Sequence, residues 1–382
     1  MLLTAICVAS CFTACGEDAP VASESTVVET VETESVELVV PETVVETVEE
    51  TVEETVEETR EGMYRSELTN EWIDEALKDQ RPIAAMVDNE KTALPHYGVN
   101  QCDIVYEMMN STQNGRVTRL MCIMKDWENI EQLGSIRSVR TTNFMVAAEY
   151  NAVILHDGGP FYIDEYIAKP YSAHLSGGFA RIPNGKAQEF TEYVTSNDYT
   201  NSKGQSYDGL IDRMAATNYS TTYNEYYPGA HFQFANNDYK LSEEVVDFVV
   251  SAKNIALPFP HNSSELHYNE ETQTYDYYVY GSAHVDALDN QQTTFKNVIL
   301  QSTTFKELDA HGYLTYDVVG SGNYGWYITN GEAIDIRWEK ETESGITHYY
   351  NVHTDEEIVL NTGKTYVALV PADSWNDLKL NQ

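Results

Sequence analysis

The chain has 382 residues, and 61 acidic side chains outweigh 23 Lys and Arg for a formal net charge of −38. Such a chain cannot neutralise a row of phosphates, which excludes nucleic acid as a partner. The same excess keeps it off an anionic membrane surface unless a covalent anchor holds it there.

In chain order, residues 1–15 come first. Met1 to Ala14 carry no charge and end in small residues, the pattern of an export signal. They are too few to span a bilayer, which takes about 20 apolar residues. Small residues precede both Cys11 and Cys15; Gly16 and a polar run follow Cys15, so Cys15 is the expected lipidation site. No Lys or Arg opens the segment, which implies a precursor that starts further upstream. Residues 16–62 are a degenerate Val-Glu-Thr repeat with Arg60 as the one basic residue. Val and Thr are poor helix formers and like charges repel at helical spacing, so the stretch reads as a disordered, extended acidic tether.

The remaining residues suggest an α+β body of two domains, each with its own core. An α/β mixed-sheet domain is expected over 63–230. Ile83 to Val87 reads as a strand ending at Asp88-Asn89. Ile104 to Met109 and Val117 to Met124 flank a turn-rich Asn110 to Gly115, an antiparallel hairpin. Ile130 to Ile136 reads as a strand, Ser138 to Tyr150 as a helix capped near Ser138 or Thr141, and Ala152 to Leu155 as a buried strand. Phe161 to Ala168 and Lys186 to Thr195 read as further helices. From 231 to 382 the pattern changes to closely spaced strands, with a helix at about 242–252 and a hairpin turn at Asn330-Gly331. That half is expected to be a mainly antiparallel β sandwich or open barrel, with Gly320-Ser321-Gly322 as a hairpin connection between strands.

These motifs resemble the YerB-like lipoprotein family. The resemblance rests on Arg81-Pro82-Ile83-Ala84-Ala85-Met86-Val87-Asp88-Asn89, Cys102 to Glu107, Arg116-Val117-Thr118-Arg119, Gly134-Ser135-Ile136-Arg137-Ser138-Val139-Arg140, Glu149 to Ala152 with His156-Asp157-Gly158-Gly159, and Val319 to Pro371. It implies a lipoprotein with N-terminal and C-terminal domains of unknown function. Asp157 stands where the family often has an apolar residue, which argues against a catalytic use of it.

If the strands are parallel, Asp88, Asn89, Arg137, His156 and Asp157 gather at strand carboxyl ends, where α/β sheets bind ligands. Arg137 and Arg140, opening the helix with Ser138 between them, suit a phosphate or carboxylate, and Arg116 and Arg119 are weaker candidates of the same kind. Pairing of these arginines with carboxylates such as Asp103, Glu107 or Glu149 is the competing reading. His156 before Gly158-Gly159 suits either a general base or a hydrogen-bonded core histidine. Cys102 and Cys122 fall near one another across the hairpin, either as a cross-strand disulfide or as two small buried apolar groups. The sequence holds no nucleophile elbow, His-Glu-x-x-His, Cys-x-x-Cys or phosphate loop, and no cofactor or metal is expected. The reading is a non-enzymatic envelope lipoprotein, attached to the membrane through its lipid alone, that recognises an anionic group on wall polymer or a membrane protein. The alternative is an envelope hydrolase or transferase acting on a phosphorylated or glycan substrate.

Overall fold

The computed structural model describes residues 59–244 and 247–381; the expected signal, Cys15 and most of the tether lie outside them. Twelve elements position the site. They are β1 (Ile83–Asp88), β2 (Ile104–Met109), β3 (Thr118–Met124), α1 (Thr141–Glu149), β4 (Val153–His156) and β5 (His174–Ser176), then β6 (Val250–Ser251), β7 (Asn297–Thr303), β8 (Gly320–Thr329), β9 (Glu332–Lys340), β10 (His348–Asn351) and β11 (Thr365–Pro371).

All eleven strands join one sheet in the order β6-β9-β8-β7-β11-β2-β3-β1-β4-β5, with β10 paired to β9. The described body is thus mostly β with few helices. The hairpin expected over 104–124 is present as β2 and β3, antiparallel with Val105 opposite Cys122. Asn330 and Gly331 both take positive φ, 50° and 80°, and join β8 to β9 as their sequence requires. A side chain at 331 would also strike the Tyr268 ring, at 2.9 Å from Cβ.

The boundary near 230 does not divide the core. The last long strand, β11, pairs in parallel with β7 on one side and with β2 on the other, so the two halves of the sequence share a sheet. The two cores are its two faces instead. Ile83, Ala85, Val105, Leu120, Leu300 and Ala368 point to one, against a second sheet carrying Leu266 and Tyr277. Ala84, Met86, Tyr106, Met121, Ile299 and Val367 point to the other, against α1. Strands covered on both faces carry continuous apolar runs, and every residue of β1, β2, β3 and β7 is buried. Each large side chain so buried contributes about 1.5–3 kcal/mol.

Four sequence-based elements differ. Ile130 to Ile136 supplies only a two-residue strand, Leu133–Gly134, because Trp127–Asn129 turns as a 3-10 helix just before it. The helix expected over 186–195 is a 3-10 turn, Gln188–Phe190, and a buried strand, Glu192–Val194; Glu192 forms an ion pair with Arg181 at its base. The helix near 242–252 is limited to Leu241–Glu244, and Val250–Ser251 pairs with β9 at the sheet edge. Gly320-Ser321-Gly322 is not a hairpin connection but the start of β8, with a register shift before Asn323.

Candidate functional site

Strands β1 and β4 are parallel, as the strand-end argument needs, so Asp88 and His156 do finish at the same edge. Neither opens to a cleft. Asp88 is 1% exposed; its carboxylate lies 3.0 Å from Arg137 Nε, an ionic contact not aligned as a hydrogen bond. Arg137 Nη1 reaches Glu189 at 3.0 Å, so this guanidinium is neutralised by two carboxylates. His156 Nδ1 lies 2.8 Å from the Gly158 carbonyl and Nε2 3.0 Å from His174 Nδ1. Burial pulls its pKa down to about 4, so it is neutral at pH 7 with both ring nitrogens occupied, the core reading of this residue. Asp157 is 3.3 Å from Arg181, which also holds Glu192, whose own pKa burial pushes up to about 7.

Asn89 and Glu107 belong to a buried network. The Glu107 carboxylate accepts from Thr118, Ser264 and Asn89 on one oxygen and from Tyr277 and Tyr366 on the other. No arginine takes part, so Glu107 does not pair with the candidate arginines. Glu149 does not either; Lys340, at 2.8 Å, and His231, at 2.7 Å, hold it. Cys102 and Cys122 are both free and buried. The hairpin register places Val105, not Cys102, opposite Cys122; Cys102 lies just before β2, its Sγ donating to the Gly98 carbonyl, and the two thiols stay within hydrogen-bond reach of each other.

The helix opening separates the two arginines expected to act together. Arg140 is the residue before α1, in extended conformation with φ −124° and ψ 166°, and its N–H donates to Asn143 Oδ1. Ser138 therefore lies outside the helix and gives only its carbonyl, to Arg119. Because residues 137–140 all precede the helix, Arg137 and Arg140 do not share a helix face. Arg140 turns inward instead and meets Arg119 from β3.

Among the described residues that second pair is buried without an ion-pair partner, as Arg81 also is on the Asn151 carbonyl. Each of the two residues is 7% exposed. Arg119 Nη1 donates to Asn110 Oδ1 at 2.8 Å, and Arg140 Nε donates to the Asn110 carbonyl at 3.0 Å. Arg140 Nη1 donates to the Val139 carbonyl, and the group lies 4.4 Å above the Tyr313 ring. All of these partners are neutral. Among the described residues neither arginine has a carboxylate within ion-pair distance, and the buried Nε of Arg119 has no hydrogen-bond partner. Burial pulls Arg119 down to about 10, and burial together with the neighbouring Arg119 pulls Arg140 down to about 9. Both remain cations at neutral pH. Both arginines line a cavity of about 10 Å³ together with Asn110, Thr142, Asn143 and Tyr316, and three methionines and Leu314 form its apolar wall. That is room for one water-sized atom.

By contrast Arg116, the other early arginine, is satisfied by a two-pronged contact with Asp373 at 2.7 Å. Gly158 and Gly159 are exposed and do not line the cavity; a Cβ on Gly159 would lie 3.2 Å from the Val139 carbonyl. Asn110, Tyr313 and Asp309, whose field acts on Arg140, were not singled out in the sequence. Asn110 stood in the turn after β2, but nothing local marks the Asp309 to Tyr313 loop. Among the described residues no group of three or more His, Cys, Asp or Glu is placed to hold a metal ion, and no helix is long and apolar enough to cross a membrane.

Residues 68–208 match the N-terminal domain, and residues 255–367 the C-terminal domain, of a protein family of unknown function, DUF3048. A protein of Bacillus subtilis (strain 168) named "Putative lipoprotein YerB" is 21% identical over 324 residues, covering 80% of this chain and 86% of that one. The crystal structure of YerB protein from Bacillus subtilis has the same fold, with a TM-score of 0.64 at 18% identity over 84% of this chain and 100% of that one.

Proposed function

The chain belongs to the DUF3048 family, carrying both its N-terminal and C-terminal domains, and from that premise we propose that it is an envelope lipoprotein whose body binds an anionic group between Arg119 and Arg140. The observation that carries this reading is the pair of buried guanidinium groups with only neutral hydrogen-bond partners. An unpaired charge taken out of water costs several kcal/mol, and an anion supplied from outside offsets that cost. The slot admits one atom, so the bound group is an oxyanion, such as a phosphate or carboxylate, that inserts a single oxygen and leaves its remainder outside.

Binding is favoured over catalysis because the two bases expected from the sequence are engaged elsewhere: His156 by Gly158 and His174, and Asp88 by Arg137. The lipid on Cys15 and the acidic tether over 16–62 would hold this body at the envelope, where wall polymer or a membrane protein presents the anion. The similarity to a named lipoprotein and the sequence pattern support that placement. A calorimetric titration of the full chain with inorganic phosphate tests the reading. Wild type should bind, and Arg119→Gln combined with Arg140→Gln should weaken binding by about tenfold or more, each lost charged contact costing about 1.5–3 kcal/mol. Arg137→Gln should behave as wild type. Equal affinity in wild type and the double variant would overturn the proposal.

A further inference from the structure

We infer that the anion is the phosphate of a hydroxylated ester, a polyol phosphate or sugar phosphate, whose hydroxyls meet Asp309 and whose carbon face lies on the aromatic rings beside the slot. The inference rests on the anion-binding reading above and adds what the rim of the slot contains.

A chain of contacts leads outward from Arg140. Its guanidinium lies over Tyr313. The Tyr313 N–H points to Asp309 Oδ1 at 3.4 Å, and the same oxygen accepts from the His311 N–H at 2.9 Å. Tyr162 OH approaches Asp309 Oδ2 at 3.3 Å and the Leu308 carbonyl at 3.2 Å. Phe161 lies against Tyr162 with ring centroids 4.0 Å apart, and at 72% exposure it is the most exposed large apolar side chain among the described residues. The loop that carries it is fixed at both ends. Gly159 packs on Val139, the residue before Arg140, and Ile163 is buried, with its N–H bonded to the Pro160 carbonyl.

Each part selects a ligand chemistry. Asp309 is in no ion pair with Arg140, yet its charge acts on that guanidinium and opposes a bare anion. An ionised carboxylate is an acceptor only, so it favours a ligand with hydroxyl donors next to its anionic group. The exposed face of an aromatic ring is electron-rich and attracts the polarised C–H groups of a polyol or sugar, while solvent alone leaves the apolar surface of Phe161 unpaid. Free phosphate satisfies the arginines but neither of the other two groups. A peptide carboxylate brings no hydroxyl to Asp309.

The test compares calorimetric affinities of the full chain for inorganic phosphate, glycerol 3-phosphate and glucose 1-phosphate, together with flotation on phosphatidylglycerol vesicles. At least one soluble ester should bind about tenfold or more tightly than inorganic phosphate, a gap of about 1.4 kcal/mol. Asp309→Asn should narrow that gap from both sides, weakening the ester and tightening inorganic phosphate. Phe161→Ala, a change at an exposed position that leaves the core intact, should also lower the ester-to-phosphate ratio. Phosphate and esters bound with equal affinity would overturn this inference and leave the anion site standing. Binding of none of the three would overturn the anion site as well. Capture by vesicles without binding of either soluble ester would overturn the inference in favour of a lipid surface.

Discussion

Replacing Glu107 by Gln removes one acceptor oxygen from the network that ties β2 to the second sheet. Thr118, Ser264 and Asn89 donate to one carboxylate oxygen, and Tyr277 and Tyr366 donate to the other. Whichever way the new amide turns, its NH2 faces at least two donors that no longer have an acceptor. Burial raises the Glu107 pKa, and the surrounding hydroxyl donors oppose that rise, so the carboxylate form is the one this geometry serves. Hydrogen bonds to a charged group contribute about 1.5–3 kcal/mol each, so the expected loss for two is about 3–5 kcal/mol after local relaxation. Urea unfolding at pH 7 measures it as a lower midpoint at unchanged slope. Thr118→Val, which removes one donor, should cost less than half as much. A Glu107→Gln loss below about 1 kcal/mol would refute the argument, because a protonated carboxyl already donates as an amide does and would tolerate the exchange.

Three further outcomes follow from the same contacts. The His156 pKa is about 4 in the folded chain against 6.5 as the ordinary value, so its stabilising contribution is complete above pH 6.5 and lost as pH falls through 4. Asp103 and Glu192, both pushed up to about 7 chiefly by burial, act in the opposite direction over that range. The test is therefore the difference between wild type and His156→Asn, whose stability should fall less steeply between pH 6.5 and 4, by up to roughly 1.4 kcal/mol per pH unit; parallel curves would contradict it. Lys340→Met should destabilise by about 3–5 kcal/mol in thermal or urea unfolding, because it strands the buried Glu149 carboxylate that Lys340 and His231 hold down at about 2 against the effect of burial. Cys102 and Cys122 should alkylate as two free thiols only after unfolding, and recovery of a linked peptide from the native protein would contradict the reduced pair.

Elements fixed by short-range chemistry were legible in the sequence. The Asn330-Gly331 turn needs two positive φ values that few other residue pairs supply, and the β2–β3 hairpin has its turn residues between two apolar runs. The single sheet was not legible, because it depends on β11 pairing in parallel with β7 and with β2, whose residues lie far away in the chain. Parallel pairing of this kind has no turn to announce it. The arginine pair shows the same division. Arg140 was recognisable from the helix start that follows it. A spacing of three residues pointed to Arg137 as its companion, which holds only where both residues are helical, and here the backbone is still extended at Arg140. Its actual companion, Arg119, comes from another strand, and Asn110 and Tyr313 join it only through the completed fold.

The central claim is that an oxyanion fills the slot between Arg119 and Arg140. Crystals grown with selenate, a phosphate-sized oxyanion with a strong anomalous signal, test it most directly. An anomalous peak is expected at the slot with one oxygen within hydrogen-bond distance of Arg119 Nε, the buried donor that has no partner. A slot filled by water alone, with selenate at Arg137 or nowhere, would contradict it.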